Sequence, residues 1–237
     1  NFRLYSVDVA GGAARALTQA GARAEILGVS ANDPGGVVIS LNQRDAAWAD
    51  VVRVDVRSGE RAVLLRNTAP RGFSRFVLDR ENRVRLGVRP LEDGGSELVR
   101  FDERGRATAL FPIPLEDTMS ATPIAFEADG RDFLMLDSTG RDRTALVRVD
   151  AETGVKTVIG ESARADVVDV WLNPANNAAE AFATQRIANP EDRSRFLELV
   201  KGALAGSIQK GEPLPAVNLR KPKVIPLSRP ERDDPTR

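Results

Sequence analysis

The stretch LVRVDAETGVKTVIG, residues 146–160, decides the architecture. Apolar and polar residues alternate into Asp150, a turn closes around Gly154, and a second short apolar run follows. That is the pattern of a β-hairpin with one buried face. Nearly the same hairpin occurs three more times. LYSVDVAGGAARALT carries Asp8, VVRVDVRSGERAVLL carries Asp55 and LVRFDERGRATALF carries Asp102, so the four aspartates are spaced by 47, 47 and 48 residues.

The residue before each aspartate is apolar (Val7, Val54, Phe101, Val149), and so is the residue three before (Tyr5, Val52, Val99, Val147). Ser6, Arg53, Arg100 and Arg148 sit between them on the opposite face. Gly12, Gly59 and Gly154 fall four residues after the aspartate and Gly105 three after it, where a tight turn needs positive φ. The aspartates are read as turn-capping groups that accept nearby backbone N–H bonds, with a catalytic carboxylate as the alternative.

A second turn recurs 25 to 27 residues after each aspartate, at Asp33-Pro34-Gly35, Glu81-Asn82, Asp129-Gly130 and Asn176-Asn177. Apolar runs flank each one, among them AEILGV, GVVISL, SRFVLD and DFLML. The unit is therefore strand, turn, strand, longer connection, strand, glycine turn, strand. Four strands in this length is the sequence signature of a propeller blade; a sandwich or barrel is the alternative. The expected order is an outer hairpin at 4–18, blades at about 24–65, 73–111 and 121–160, and an inner hairpin at about 165–184. Joining the two terminal hairpins would close a four-bladed ring and hide sheet edges. An open arc from a larger propeller is the other possibility.

Composition excludes several chemistries. The chain has no cysteine and no histidine, so a disulfide, a thiolate metal site, a histidine-ligated zinc and a Ser-His-Asp triad cannot be built from it. Thirty-four basic residues balance thirty-four acidic ones, giving no long-range attraction to nucleic acid or to an anionic membrane. No apolar run is long enough for a membrane helix. The chain starts at Asn1, inside an apparent strand, and is read as a processed or truncated piece whose compartment, cytoplasmic or exported, stays open.

The hairpins quoted above, with FVLDRENRVRLGV and GRDRTALVRVDAETG, resemble the propeller region of bacterial prolyl-oligopeptidase-family (S9) serine peptidases over about residues 1–190. The resemblance implies a propeller that gates and docks on a separate α/β-hydrolase domain, which carries the catalytic Ser, Asp and His. This chain departs from the catalytic half of that pattern. GVSAN at 28–32 and GFSRF at 72–76 both fail the G-x-S-x-G nucleophile elbow. No residue is carried over as catalytic, cofactor-binding or metal-binding, no cofactor is expected, and the chain alone is not expected to hydrolyse peptides. The expected partner is a hydrolase domain or another protein on the propeller face.

After residue 190 the repeat fails. Phe196, Val200, Leu204 and Ile208 recur at intervals of four, predicting a helix over about 191–209 within a segment at 191–210. Residues 211–237 hold prolines at 213, 215, 222, 226, 230 and 235 and read as a flexible tail. A ligand for a proline-recognising groove, helped by Arg220, Lys221 and Lys223, is the sharper alternative. Other functions to weigh are a free-standing interaction scaffold and a propeller enzyme using two carboxylates about 5–10 Å apart. Trp48, Trp171 and Tyr5 are read as core aromatics, with ligand binding as the alternative. The STGRDR loop at 138–143 is read as a solvated turn, with anion binding as the alternative.

Overall fold

The computed structural model describes residues 2–70, 72–185, 215–218 and 224–226. The chain forms two compact units, Asn1–Glu116 and Asp117–Arg237. The first contains a two-stranded sheet, β1 (Tyr5–Ser6) with β2 (Arg15–Ala16), and two four-stranded sheets. One runs β3 (Ala24–Ser30), β4 (Asp33–Leu41), β5 (Asp50–Asp55), β6 (Arg61–Leu65); the other runs β7 (Arg75–Leu78), β8 (Val84–Pro90), β9 (Ser96–Phe101), β10 (Ala107–Ile113). A 3-10 turn covers Leu115–Asp117. The second unit contains β11 (Thr122–Phe126), β12 (Asp132–Asp137), β13 (Ala145–Asp150) and β14 (Lys156–Gly160) in one sheet. Its other sheet is β15 (Asp166–Leu172), β16 (Ala179–Gln185), β17 (Pro215–Asn218) and β18 (Val224–Pro226).

Three of the four-stranded sheets are antiparallel meanders in which sequence order equals spatial order. Each matches one expected blade. The fold is all-β, an array of blade-type sheets, and no α-helix occurs among the described residues. The repeat reaches into fine detail. The outermost strand shifts register at the same place in all three meanders, opposite Val51 and Val52, Leu98 and Val99, and Leu146 and Val147. A bulge there adds twist to the outer edge of each.

The inner strands β4 and β5 are buried on both faces, which is why β4 reads as the nearly unbroken apolar run VVISL. Side chains alternate across the pleat. Val37, Ile39, Leu41, Val52 and Val54 pack with Leu17 and Ala22 beside the first hairpin. Val38 and Val51 point the other way, against Phe76, Leu78 and Phe101 of the β7–β10 sheet. In the second unit Leu134 and Leu146 pack on Val167 and Phe182 of the next sheet. Each such fully buried aliphatic or aromatic side chain contributes roughly 1.5–3 kcal/mol relative to exposure. Glycine makes room at one of these contacts, since a Cβ on Gly160 would press into the Phe182 ring.

Among the described residues β1 and β2 pair with each other, and β15–β16 share their sheet with β17 and β18. The fourth sheet also departs from the meander, because β16 and β17 run parallel with Ala183 opposite Val217. Residues 211–237 were read as a flexible Pro-rich tail, and two short pieces of them are strands, β17 and β18. Pro215 and Pro226 face each other at the end of the β17–β18 pairing, where a missing N–H interrupts the ladder least. The helix expected over about 191–209, the Arg220, Lys221 and Lys223 cluster and the remaining tail lie outside the described residues.

Candidate functional site

In a meander the connections alternate between two ends of the sheet. One end carries the tight turns β3–β4 and β5–β6 and their counterparts; the other carries the longer β4–β5 loop and the connection into the next sheet. The two ends are built from different chemistry.

At the turn end the aspartates do what their position demands. Asp55 Oδ1 accepts from Arg57 N (2.9 Å), Ser58 N (2.6 Å) and Ser58 Oγ (3.0 Å). Asp150 Oδ1 repeats this with Glu152 N, Thr153 N and Thr153 Oγ1. Asp102 Oδ1 accepts from Arg104 N and Arg106 N, and Asp8 Oδ1 from Ala10 N. Gly59 and Gly154 close their turns at φ 78 and 74, donating N–H to the carbonyl of the same aspartate at 2.8 Å in both cases. The backbone N–H donors of Ser58, Arg106 and Thr153 hold Asp55, Asp102 and Asp150 below the usual carboxylate range. These acids are charged caps, each with Oδ1 engaged by its own turn.

The arginine two residues before the aspartate also has a task. Arg53 makes paired bonds to Asp33 in the β3–β4 turn (2.7 and 2.6 Å), and Arg148 makes them to Glu127 after β11 (2.6 and 2.9 Å). The guanidinium hydrogen bond draws Asp33 below its ordinary pKa. Gly36 leaves room for the first pair, since a Cβ there would fall on the Asp33 carboxylate.

At the loop end buried polar groups tie loop to connection. Asp50 takes two bonds from Arg44 at 2.8 Å and one from Asn67 N at 2.8 Å. Arg44 reaches on to the Asn67 carbonyl at 2.5 Å. The Asn67 amide, 1% exposed as a residue, exchanges two 2.8 Å bonds with the Phe73 backbone. The Arg44 guanidinium, above all, holds Asp50 below the usual range. In the second unit Ser138 Oγ donates to Asp117 Oδ1 at 2.6 Å and lies 2.6 Å from Ser120 Oγ. Beside it Lys156 Nζ sits 3.0 Å from both oxygens of Asp137, whose side chain is 4% exposed.

The aromatic residues expected in the core are not there. Tyr5 is 51% exposed with the Arg3 guanidinium 5.3 Å from its ring centroid. Trp48 is half-buried with its ring laid on the backbone of Gly72, and Trp171 is half-buried on β15. The STGRDR loop divides: Ser138 is buried in the network above, and Gly140–Arg143 are exposed as a solvated turn. Anion binding fits it poorly, because Arg141 pairs with Glu161 and Arg143 with Asp142, each at 3.0 Å. Asp50, Asn67, Asp117, Asp137 and Lys156 were not singled out from the sequence. One signal was available for the last, since Lys156 is the first lysine of a chain otherwise supplied with arginine as far as Lys201.

Among the described residues no group of three or more His, Cys, Asp or Glu is placed to hold a metal, and no helix is long and apolar enough to cross a membrane. What the bonds at the two ends do is tie turns and loops to the sheets.

Sheets of this kind, repeated at one phase, define a β-propeller module. TolB from Acinetobacter baumannii shares the fold, with a TM-score of 0.53 at 11% identity, covering 73% of this chain and 41% of that one. Dipeptidyl aminopeptidase BIII from Pseudoxanthomonas mexicana is 34% identical over 184 residues, 77% of this chain and 26% of that protein. No family model matches the chain. The resemblance carried by the hairpins, to the propeller region of S9 serine peptidases, therefore holds. The chain spans about a quarter of the length of the curated relative it matches.

Proposed function

We propose that this chain is a noncatalytic docking and gating module, the propeller part of an S9-type peptidase, whose partner is a hydrolase domain or another protein seated on the sheet ends. The observation that carries this reading is the engagement of the polar groups. The carboxylates of Asp50, Asp55, Asp102, Asp137 and Asp150 hold turns and loops through the bonds described above rather than standing open to a substrate. The absence of histidine and cysteine removes the usual bases and thiol nucleophiles from the chain itself. Likeness to one part of a dipeptidyl aminopeptidase supports a supporting role beside a catalytic domain.

Purified chain incubated with chromogenic dipeptidyl and acyl-peptide substrates should give no turnover above buffer. Immobilised chain should retain a hydrolase domain of the S9 type in a direct binding measurement. Turnover by the pure chain overturns the noncatalytic reading, and recovery of an unrelated protein in place of a hydrolase domain favours a free-standing scaffold.

A further inference from the structure

Two equivalent turn ends differ at one rung. In the β3–β6 sheet the capping Asp55 stands opposite Gly36 across the strands. In the β11–β14 sheet the capping Asp150 stands opposite Asp132, so two carboxylates occupy one cross-strand rung. Like charges directly opposite each other destabilise a strand pair. Two guanidinium groups, those of Arg131 and Arg148, relieve this charge only in part. Glu127, following β11, takes both hydrogen bonds of Arg148 of β13, whose charge is felt more weakly by Asp132 and Asp129. Asp129 in the turn caps Arg131 N and Asp132 N. Asp150 spends Oδ1 on its own turn and has Arg131 Nε at 3.6 Å from Oδ2. The β15–β16 turn brings an uncharged amide, with Asn177 Nδ2 donating to the Phe126 carbonyl at 3.0 Å. Among the described residues no donor binds the Asp132 carboxylate.

We infer that the Asp132–Asp150 rung makes this turn end proton-responsive, loosening when both carboxylates are charged and closing when Asp132 takes up a proton. Burial first, and then Asp129, Asp150 and Glu127, push Asp132 above its ordinary value of 3.8, with Arg131 opposing them. A raised folded-state value means that the folded chain holds the proton more firmly than the unfolded one. The strain is therefore full at neutral pH and is relieved as pH falls through the raised value toward 3.8. The opposite holds for Asp55, Asp102 and Asp150, whose stabilisation is lost only on going below that range.

Two backbone bonds report on the rung: Ala151 N–H to the Arg131 carbonyl at 3.0 Å and Glu127 N–H to the Asp132 carbonyl at 2.9 Å. Hydrogen exchange of the full chain, corrected for the intrinsic pH dependence, should show protection at both rising roughly two- to fivefold as pH is lowered from neutral toward the ordinary value of 3.8. Asp132→Asn should show the higher protection already at pH 7 and no further rise. The carboxyl carbon of Asp132, followed by NMR in the unaltered chain, should titrate above an ordinary aspartate. Flat protection in the unaltered chain, the same rise in Asp132→Asn, or a carboxyl titrating at or below the ordinary value overturns the inference.

Discussion

The turn end and the loop end of these sheets solve the same problem, fixing a reversal of the chain, by opposite means. At the turn end one half-buried aspartate and one glycine suffice, and the solution is copied from sheet to sheet. At the loop end the solution is different each time. Asn67 and Arg44 converge on Asp50 in the first unit, whereas Lys156 meets Asp137 and two serines meet Asp117 in the second. The difference teaches where the stability is concentrated. Solvent-facing caps are replaceable because water takes over their partners, while a buried carboxylate deprived of its cation has nowhere to turn.

Substitutions that cut the loop-end ties should therefore do the most damage. Lys156→Met leaves the Asp137 carboxylate buried without a cation and should cost about 3 kcal/mol in urea unfolding. Adding Asp137→Leu to it should restore much of the loss, as a double-mutant cycle would measure. Asn67→Ala strips two bonds from the Phe73 backbone and should cost about 2 kcal/mol. At the turn end the effects shrink. Gly59→Ala forces a side chain onto φ 78 and should cost about 1 kcal/mol.

Asp150→Asn keeps an acceptor for the turn but removes the charge, so it sharpens the comparison through pH. Asp150 lies below its ordinary value, and its stabilisation is present above 3.8 and fades as pH falls through the folded value. The variant should lose less stability than the unaltered chain on going to acid, read as a smaller drop in midpoint temperature. Gly36→Ala, which parts Arg53 from Asp33 on a partly exposed surface, should give the smallest change of the series.

The same contrast explains what could be read from the sequence. Asp8, Asp55, Asp102 and Asp150 recur because every copy of the hairpin needs a local cap, and a local need leaves a periodic mark. The strands followed, since Val52, Val54, Val147 and Val149 must face inward wherever the aspartate closes the turn. Asp50, Asn67, Asp117 and Asp137 leave no such mark. Each is bonded to a residue far along the chain or peculiar to one loop, so neither spacing nor composition betrays it. The aromatics misled for a related reason. Alternation places Tyr5 on an inward phase, but inward holds only where another sheet covers that face, and Tyr5 keeps half its surface in solvent. Proline misled in the tail because its cost depends on which rung of the ladder it occupies, and Pro215 and Pro226 share the terminal one.

The resting place of Trp48 has a practical consequence. The chain has two tryptophans, Trp48 in the first unit and Trp171 in the second. Replacing either by phenylalanine leaves a single indole emitter in one known unit. The fluorescence of Trp48 reports the moment its ring lifts from Gly72, and that of Trp171 the fraying of β15. Two spectra can thus time the melting of each half of the molecule without any added dye.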